Sequence, residues 1–179
     1  MDFDLTEEHV LFQKAIRTFA QKEIAPLVDE AEETNVFPKQ LFKKMAALGF
    51  LCPRYPVELG GGGGDKIMEC IMAEELSRVN AGIGASLMVQ SGLSTQPIYR
   101  FGSEEQKEKF LIPAIKGEKI AAFALTEPDA GSDAASIKTR ALKDGDHYVL
   151  SGTKIFITNG PICDFATVAA YTDPSKRGE

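Results

Sequence analysis

The stretch FALTEPDAGSD at residues 123–133 holds the residue types best suited to binding a polar ligand. An apolar strand end runs into one hydroxyl at Thr126 and, further on, a second hydroxyl at Ser132. Between them, Pro128 restricts the backbone φ angle, and Gly131 permits backbone conformations that other residues avoid. Such a loop can aim backbone N–H groups and two hydroxyls at one ligand. An ordinary turn rich in Ser, Asp and Gly is the alternative.

A second stretch, GTKIFITNG at residues 152–160, predicts a strand over 153–158 that is followed by an Asn-Gly turn. This strand carries an aromatic side chain at Phe156 beside a hydroxyl at Thr158. It is therefore a second candidate surface for a ligand.

Three carboxylates in the first stretch, Glu127, Asp129 and Asp133, could suggest a pair that performs acid–base hydrolysis. They cluster in one polar loop, and no apolar pocket is evident that would raise the pKa of either member of such a pair. We therefore expect a turn with solvated carboxylates. No GxSxG pattern supports Ser132 as a hydrolase nucleophile.

The glycine run at residues 60–64 suggests a phosphate-binding loop, but its surroundings do not fit one. It continues with Asp65 and Lys66 instead of Gly-Lys-Ser/Thr, and Asp65 also replaces the last glycine of the dinucleotide fingerprint. An aspartate would repel a bound anion, so we expect a connector in which Asp65 caps the next helix. His9 and His147 fit no metal-ligand spacing, and no metal is expected.

The overall composition is that of an ordinary soluble globular chain. Its 179 residues include 26 acidic and 20 basic side chains, for a formal net charge of -6. This balance argues against nucleic acid as the main partner, and no apolar run approaches the roughly 18 residues that span a bilayer. The acidic start at residues 1–4 lacks the basic region of a secretory signal. Three cysteines without a CxxC pattern suggest no disulfide framework, so we expect a reduced, cytoplasmic setting without a membrane.

Helical periodicity dominates the first two-thirds of the chain. Apolar residues after Thr6 predict a first helix whose capping box is incomplete, because His9 stands where Glu or Gln would reach back. A second helix opens at Pro38, stops at Gly49 and is expected to bury Leu48. Further helices are predicted over about 65–77, over about 81–101, and onward from a complete capping box at 103–106.

After Lys119 the period becomes two. The segments that predict short strands are 120–125, the two arms 137–143 and 147–151 of a hairpin, 153–158 and 165–171. Helices first and strands second indicate an α+β fold. We expect an all-α N-terminal domain at residues 1–118 and an incomplete antiparallel β-domain at residues 119–179. A sheet this small exposes edges and a face unless something covers them.

Taken together, the two ligand-binding stretches closely resemble the acyl-CoA dehydrogenase family. LTEPDAGSD and GTKIFITNG look like the start of that family's middle β-domain. The opening at residues 4–8, the YPVELGG stretch at 55–61 and FGSEEQK at 101–107 look like its N-terminal helical domain. The resemblance covers the whole chain.

The resemblance implies an FAD site, in which Leu125 and Thr126 lie beside the isoalloxazine and Thr158 lies near its N5 atom. The implied cofactor-binding residues are Phe123, Leu125, Thr126, Gly131, Ser132, Phe156, Ile157 and Thr158. The implied substrate residues, mostly in the helical stretch that matches the lining of the acyl-chain pocket, are Ser132, Leu87, Gln90, Ser91 and Ser94. Tight helix packing is a comparable explanation for the small residues of that stretch.

The implied reaction is α,β-dehydrogenation of an acyl-CoA thioester. In the family a Glu carboxylate removes the α-proton, the β-hydride passes to flavin N5, and an electron-transferring flavoprotein reoxidises the flavin. That Glu, most contacts to the adenine half of FAD and the homotetramer interface belong to a C-terminal helical bundle that this sequence does not include. No catalytic residue is therefore assigned here, and we expect the chain by itself to lack dehydrogenase activity.

Two other classes of function stay open. One is an inactive fragment, or a module that binds acyl-CoA or a partner without catalysis. The other is a different flavoenzyme on the same scaffold, either an oxidase or a monooxygenase. The length and branching of the acyl chain are not determined by these residues.

Overall fold

The structure, a computed structural model, describes residues 4–173; residues 1–3 of the acidic start and the polar residues 174–179 lie outside this range. The α-helices are α1 (Glu7–Phe19), α2 (Val28–Thr34), α3 (Gln40–Ala47), α4 (Lys66–Ser77), α5 (Ala81–Val89), α6 (Gln96–Phe101), α7 (Glu104–Gln106) and α8 (Ile112–Ile115). Wider π-helical turns occur at Ala20–Ile24, Gln90–Ser94 and Lys107–Leu111. Short 3-10 turns occur at Ala25–Leu27, Val57–Leu59 and Ala134–Ser136. The strands are β1 (Ala121–Ala124), β2 (Arg140–Asp144), β3 (His147–Ser151) and β4 (Phe165–Val168).

The start of α1 is better capped than the sequence predicts. Thr6 Oγ1 accepts a hydrogen bond from His9 N at 3.3 Å, and His9 Nδ1 accepts one from Thr6 N at 3.4 Å. His9 thus completes the capping box, and the expectation of an incomplete box is wrong. Its Nε2 lies 2.9 Å from Asp65 Oδ2, while Asp65 Oδ1 caps α4 by accepting from Met68 N at 3.0 Å. The starts of α1 and α4 are therefore held together.

The helix predicted over residues 81–101 is interrupted near its middle. α5 passes into the π-helical turn Gln90–Ser94 and α6 follows it. Ser94 Oγ donates to Val89 O at 2.8 Å, and Thr95 Oγ1 donates to Gln90 O at 2.5 Å. Hydroxyls that bond back to helix carbonyls bend a helix, which accounts for the wider turn.

The core of the molecule lies among the helices. Its fully buried members include Ile16, Leu41, Phe42, Met45, Leu76, Leu87, Leu111 and Ile115. Leu48, which was expected to be buried, is 56% exposed because α3 ends at Ala47 and Gly49 (φ +71) turns the chain away. Within residues 4–173, no helix is both long and apolar enough to cross a membrane.

The α+β architecture is confirmed, but its strands are not all antiparallel. β2 and β3 form the predicted hairpin, with Asp144 opposite His147. β1 and β4 pair in parallel, with Ala121 opposite Phe165, because the long connection between them returns the chain to the same end of the ladder. The predicted strand at 153–158 is wrong, since this segment joins neither ladder.

Candidate functional site

The structure brings the two candidate stretches side by side. Thr126 O accepts a hydrogen bond from Ile155 N at 3.0 Å. Leu125 O accepts one from Lys154 Nζ at 2.7 Å. The end of β1 and the segment before Phe156 are thereby joined, so both stretches border the same region of the surface.

The carboxylate of Glu127 also joins these two stretches. It is only 5% exposed, and its Oε1 lies 2.8 Å from Lys154 Nζ. Lys138 N donates to Oε2 at 2.5 Å and Thr139 N donates to Oε1 at 2.9 Å. Burial raises the pKa of Glu127, but the hydrogen bonds from Lys154, Thr139 and the two backbone amides outweigh it and lower the pKa to about 2.

The expectation of a solvated carboxylate at Glu127 is therefore wrong. A carboxylate that stays ionised and accepts this many hydrogen bonds is a structural anchor and a weak base. Asp129 and Asp133 are exposed, as expected for turn residues. Glu127 N and Ala130 O close the turn at 2.9 Å around Pro128.

Past the turn, the chain presents unpaired polar groups. Within the described part of the chain, the backbone N–H groups that donate to no protein acceptor include those of Gly131, Ser132, Phe156, Ile157 and Thr158. The hydroxyls of Thr126, Ser132 and Thr158 are likewise without protein partners in residues 4–173. A Cβ built on Gly131 would meet nothing within 4 Å, so the space in front of this loop is open. Both stretches therefore offer hydrogen-bond donors to a ligand.

Phe156 adopts a backbone conformation that bulky residues rarely adopt. Its φ is +55 and its side chain is 89% exposed. Ile155 anchors the chain before it, and buried Asn159 anchors the chain after it by donating to Ser86 O at 2.9 Å and Ala121 O at 3.2 Å. An exposed aromatic residue whose backbone is held in the left-handed region by anchors before and after it is typical of a functional site.

The residues implied as substrate contacts in the α5 region lie in the interior instead of on an open surface. Leu87 belongs to the helical core, and Ser94 Oγ bonds to a helix carbonyl. Gln90 Nε2 donates to Ala114 O and Lys119 O, while Gln90 Oε1 accepts from Ala121 N. Ser91 Oγ faces the Glu69 carboxylate at 3.4 Å. Ser132, by contrast, is exposed beside the free amides.

The neighbouring face of the same helix lines an open groove. This groove has a volume of about 360 Å³ and lies between α4 and the stretch formed by α5 and the following π-helical turn. Its lining residues are Lys66, Glu69, Cys70, Ala73, Ala85, Met88, Val89, Gly92 and Leu93. Residues 85, 88, 89 and 92 recur at helical spacing, and this pattern could have identified the groove-lining face from the sequence. The face lies next to the buried stripe that contains Leu87, Gln90, Ser91 and Ser94. Within residues 4–173, no group of three or more His, Cys, Asp or Glu residues is arranged to hold a metal ion.

These features define a class of protein: a helical domain joined to strands, with loops that carry unpaired hydrogen-bond donors and an exposed aromatic side chain. The family described as "Acyl-CoA dehydrogenase, N-terminal domain" matches residues 6–118, and "Acyl-CoA dehydrogenase, middle domain" matches residues 122–179. The chain belongs to the acyl-CoA dehydrogenase family, whose members are flavoprotein oxidoreductases.

Two relatives and one solved structure illustrate the similarity. The chain is 44% identical to the short-chain specific acyl-CoA dehydrogenase of Clostridium acetobutylicum over 98% of this chain and 46% of that protein. It is 47% identical to the 3-(aryl)acrylate reductase of Clostridium sporogenes over 96% of this chain and 45% of that protein. The butyryl-CoA dehydrogenase structure from Megasphaera elsdenii superposes with a TM-score of 0.89 at 41% identity, covering 99% of this chain and 47% of that one. The chain thus spans less than half the length of these proteins.

Proposed function

We propose that this chain forms part of an FAD-dependent enzyme that dehydrogenates acyl-CoA thioesters between the α and β carbons. Residues 1–118 would be its helical domain, and residues 119–179 the beginning of its middle β-domain. The observation that carries the proposal is the pairing of two donor-bearing stretches through Thr126 and Ile155, 3.0 Å apart.

The residues present fit a flavin. The polar edge of an isoalloxazine needs hydrogen-bond donors, and its faces need apolar or aromatic cover. Free amides and hydroxyls occur on both stretches, and Phe156 supplies an exposed aromatic ring. The residues proposed to hold the flavin are Phe123, Leu125, Thr126, Gly131, Ser132, Phe156, Ile157 and Thr158. When bound, FAD would supply the acceptor for the hydride that leaves the β carbon.

The groove between α4 and α5 is the proposed place for the acyl group. Its walls are largely apolar, and α5 is tied to the Phe156 segment because Asn159 donates to Ser86 O at 2.9 Å. Ser132, exposed beside the free amides, would contact the thioester end of the substrate. Leu87, Gln90, Ser91 and Ser94 then shape the groove from behind.

The proposal includes partners and a compartment. In the paired stretches Glu127 is held by Lys154, while Asp129 and Asp133 are exposed turn residues, and none of the three is proposed as the base. The base would come from elsewhere in the complete enzyme, so the 179-residue chain should not turn over substrate. An electron-transferring flavoprotein is the proposed electron acceptor, and a similar structure, with a TM-score of 0.91, is described as that of an electron transferring flavoprotein of Acidaminococcus fermentans. We also propose that the complete enzyme is a homotetramer and that it is located in the cytoplasm.

The test uses the complete natural protein and this chain in parallel. The complete protein should purify with a flavin absorbance, and acyl-CoA should bleach this absorbance under anaerobic conditions. Thr158→Ala should slow the bleaching, while Thr34→Ala, an exposed threonine of α2, should not. Acyl-CoA turnover by the isolated chain with added FAD would refute the assignment of the base to another segment.

The same measurements separate the alternatives. Rapid reaction of the reduced flavin with oxygen would indicate an oxidase or a monooxygenase. Thioester binding without any flavin absorbance would indicate a non-catalytic binding module. Acryloyl-CoA reductase (NADH) of Anaerotignum propionicum is 40% identical to this chain, so the reverse reaction should be assayed as well.

A further inference from the structure

The groove between α4 and α5 has apolar walls and one charged end. Ala73, Met88 and Val89 belong to the apolar part, while Lys66 and Glu69 belong to the charged part. Glu69 is only 7% exposed although it borders the groove. Buried charges are paired in proteins, so the partners of this carboxylate decide what it can still bind.

The two oxygens of Glu69 are not equally occupied. Oε2 lies 2.8 Å from Arg54 Nε and also pairs with Lys66 Nζ. Oε1 has only long contacts, with Arg54 Nη2 and Ser91 Oγ both at 3.4 Å. Hydrogen bonds to a carboxylate oxygen are strongest well below 3 Å, so Oε1 retains the capacity to accept another donor.

Gly92 leaves this oxygen open to the groove. A Cβ built at Gly92 would lie 3.6 Å from Glu69 Oε1, the only atom of residues 4–173 within 4 Å apart from the chain neighbours and helix backbone of Gly92 itself. A methyl group there would make an ordinary van der Waals contact and cover the oxygen. The missing side chain therefore gives a ligand access to Glu69 without disturbing its ion pairs.

We propose that this charged end selects acyl groups that carry a hydroxyl, an inference that rests on the proposed function of the groove. Oε1 of Glu69 is an acceptor, and the ammonium of Lys66, whose side chain is 70% exposed, is a donor beside it. A hydroxyl is both donor and acceptor and satisfies the two groups together. A methyl end satisfies neither group. A carboxylate can accept from Lys66 but has no proton to donate to Oε1, and an ammonium can donate to Oε1 but has no acceptor for Lys66.

The position of the charged end suits the far end of an acyl chain. Gly92 follows Ser86 by six residues, which corresponds to about 9 Å along a helix. Ser86 is the residue to which the Phe156 segment is tied through Asn159. A thioester held near that segment would therefore direct its acyl chain toward Glu69.

The experiment measures occupancy of the groove by protection of Cys70 from maleimide. Cys70 lines the groove and is exposed, Cys52 is buried, and Cys163→Ser removes the third thiol. The probes are hexanoyl-CoA, ω-hydroxyhexanoyl-CoA and adipoyl-CoA, applied to this chain. The hydroxy compound should protect Cys70 at a concentration about 10- to 150-fold lower than hexanoyl-CoA, the range for one hydrogen bond to a charged group.

Two glycine variants on the same helical stretch make the test specific. Gly92→Ala covers Oε1 and should remove the preference, whereas Gly82→Ala, outside the groove, should keep it. Equal protection by all three probes, or better protection by adipoyl-CoA, overturns the hydroxyl preference and leaves the acyl groove standing. Absence of protection by every probe overturns the acyl groove itself, and the preference with it.

Discussion

Replacing Gln90 with methionine tests whether this side chain joins the helical layer to the strands or is available to a ligand. Gln90 Nε2 donates to Ala114 O at 2.9 Å and to Lys119 O at 2.7 Å, while Oε1 accepts from Ala121 N at 2.8 Å. The bonds to Ala114 and Ala121 are buried. Methionine has a similar shape but neither the amide hydrogens nor the carbonyl oxygen. Ala121 N would therefore lose its acceptor, whereas Ala114 O would keep the hydrogen bond from Gly117 N at 3.0 Å.

The expected loss of stability follows from these bonds. A buried backbone group left without a partner costs about 1–3 kcal/mol, and this is the cost expected for Ala121 N. The carbonyl of Lys119 is only partly buried and can turn to water, so it adds little. Since a whole domain is stable by about 5–15 kcal/mol, this single substitution should be conspicuous.

Urea unfolding followed by far-ultraviolet circular dichroism measures the change in the free energy of unfolding. Gln21→Met is the matched control because Gln21 is exposed and also lies in a π-helical turn, Ala20–Ile24. The control should stay within about 0.5 kcal/mol of the parent chain. If Gln90→Met costs less than about 1 kcal/mol with an unchanged denaturant slope, the joining role is refuted and a ligand role for Gln90 gains support.

Three further predictions concern the loops of the site. The folded-state pKa of Glu127 is lowered from 4.5 to about 2, so its contribution to stability is present above pH 4.5 and is lost as the pH falls toward 2. Glu127→Gln should therefore remove that part of the acid dependence of the unfolding free energy. Phe156→Gly should change the unfolding free energy by less than about 1 kcal/mol, because relief of the left-handed backbone strain offsets the entropic cost of glycine. The same variant should weaken flavin retention in the complete protein, and an unchanged flavin content would contradict the proposal that Phe156 covers the flavin. Gly61→Ala should destabilise the chain by about 1–3 kcal/mol, because its Cβ would lie 2.2 Å from Tyr55 O, whereas Gly131→Ala, with open space before it, should leave the thermal midpoint unchanged.

Several features of the site are beyond sequence reasoning for identifiable reasons. Glu127 looks like a solvated turn residue because its neighbours in sequence are polar, while its cation, Lys154, is 27 residues away. The sequence does not separate the buried stripe of α5 from the face that lines the groove, since small residues occur on both faces of that helix. Gln90 could equally serve a substrate or the fold until its backbone partners at Ala114 and Ala121 are known.

The sequence by itself determined the change from helices to strands, several helix caps, the hairpin and the family. These features depend on backbone preferences and hydrogen bonds that act within a few residues, as at the caps of Thr6, Asp65 and Ser103. Only the tertiary structure decided that β1 and β4 run parallel, that Glu127 is buried, and that the two candidate ligand-binding stretches meet at Thr126 and Ile155. The reason is physical: each of these contacts joins residues far apart in the chain, and its energy exists only after packing has removed water from both partners.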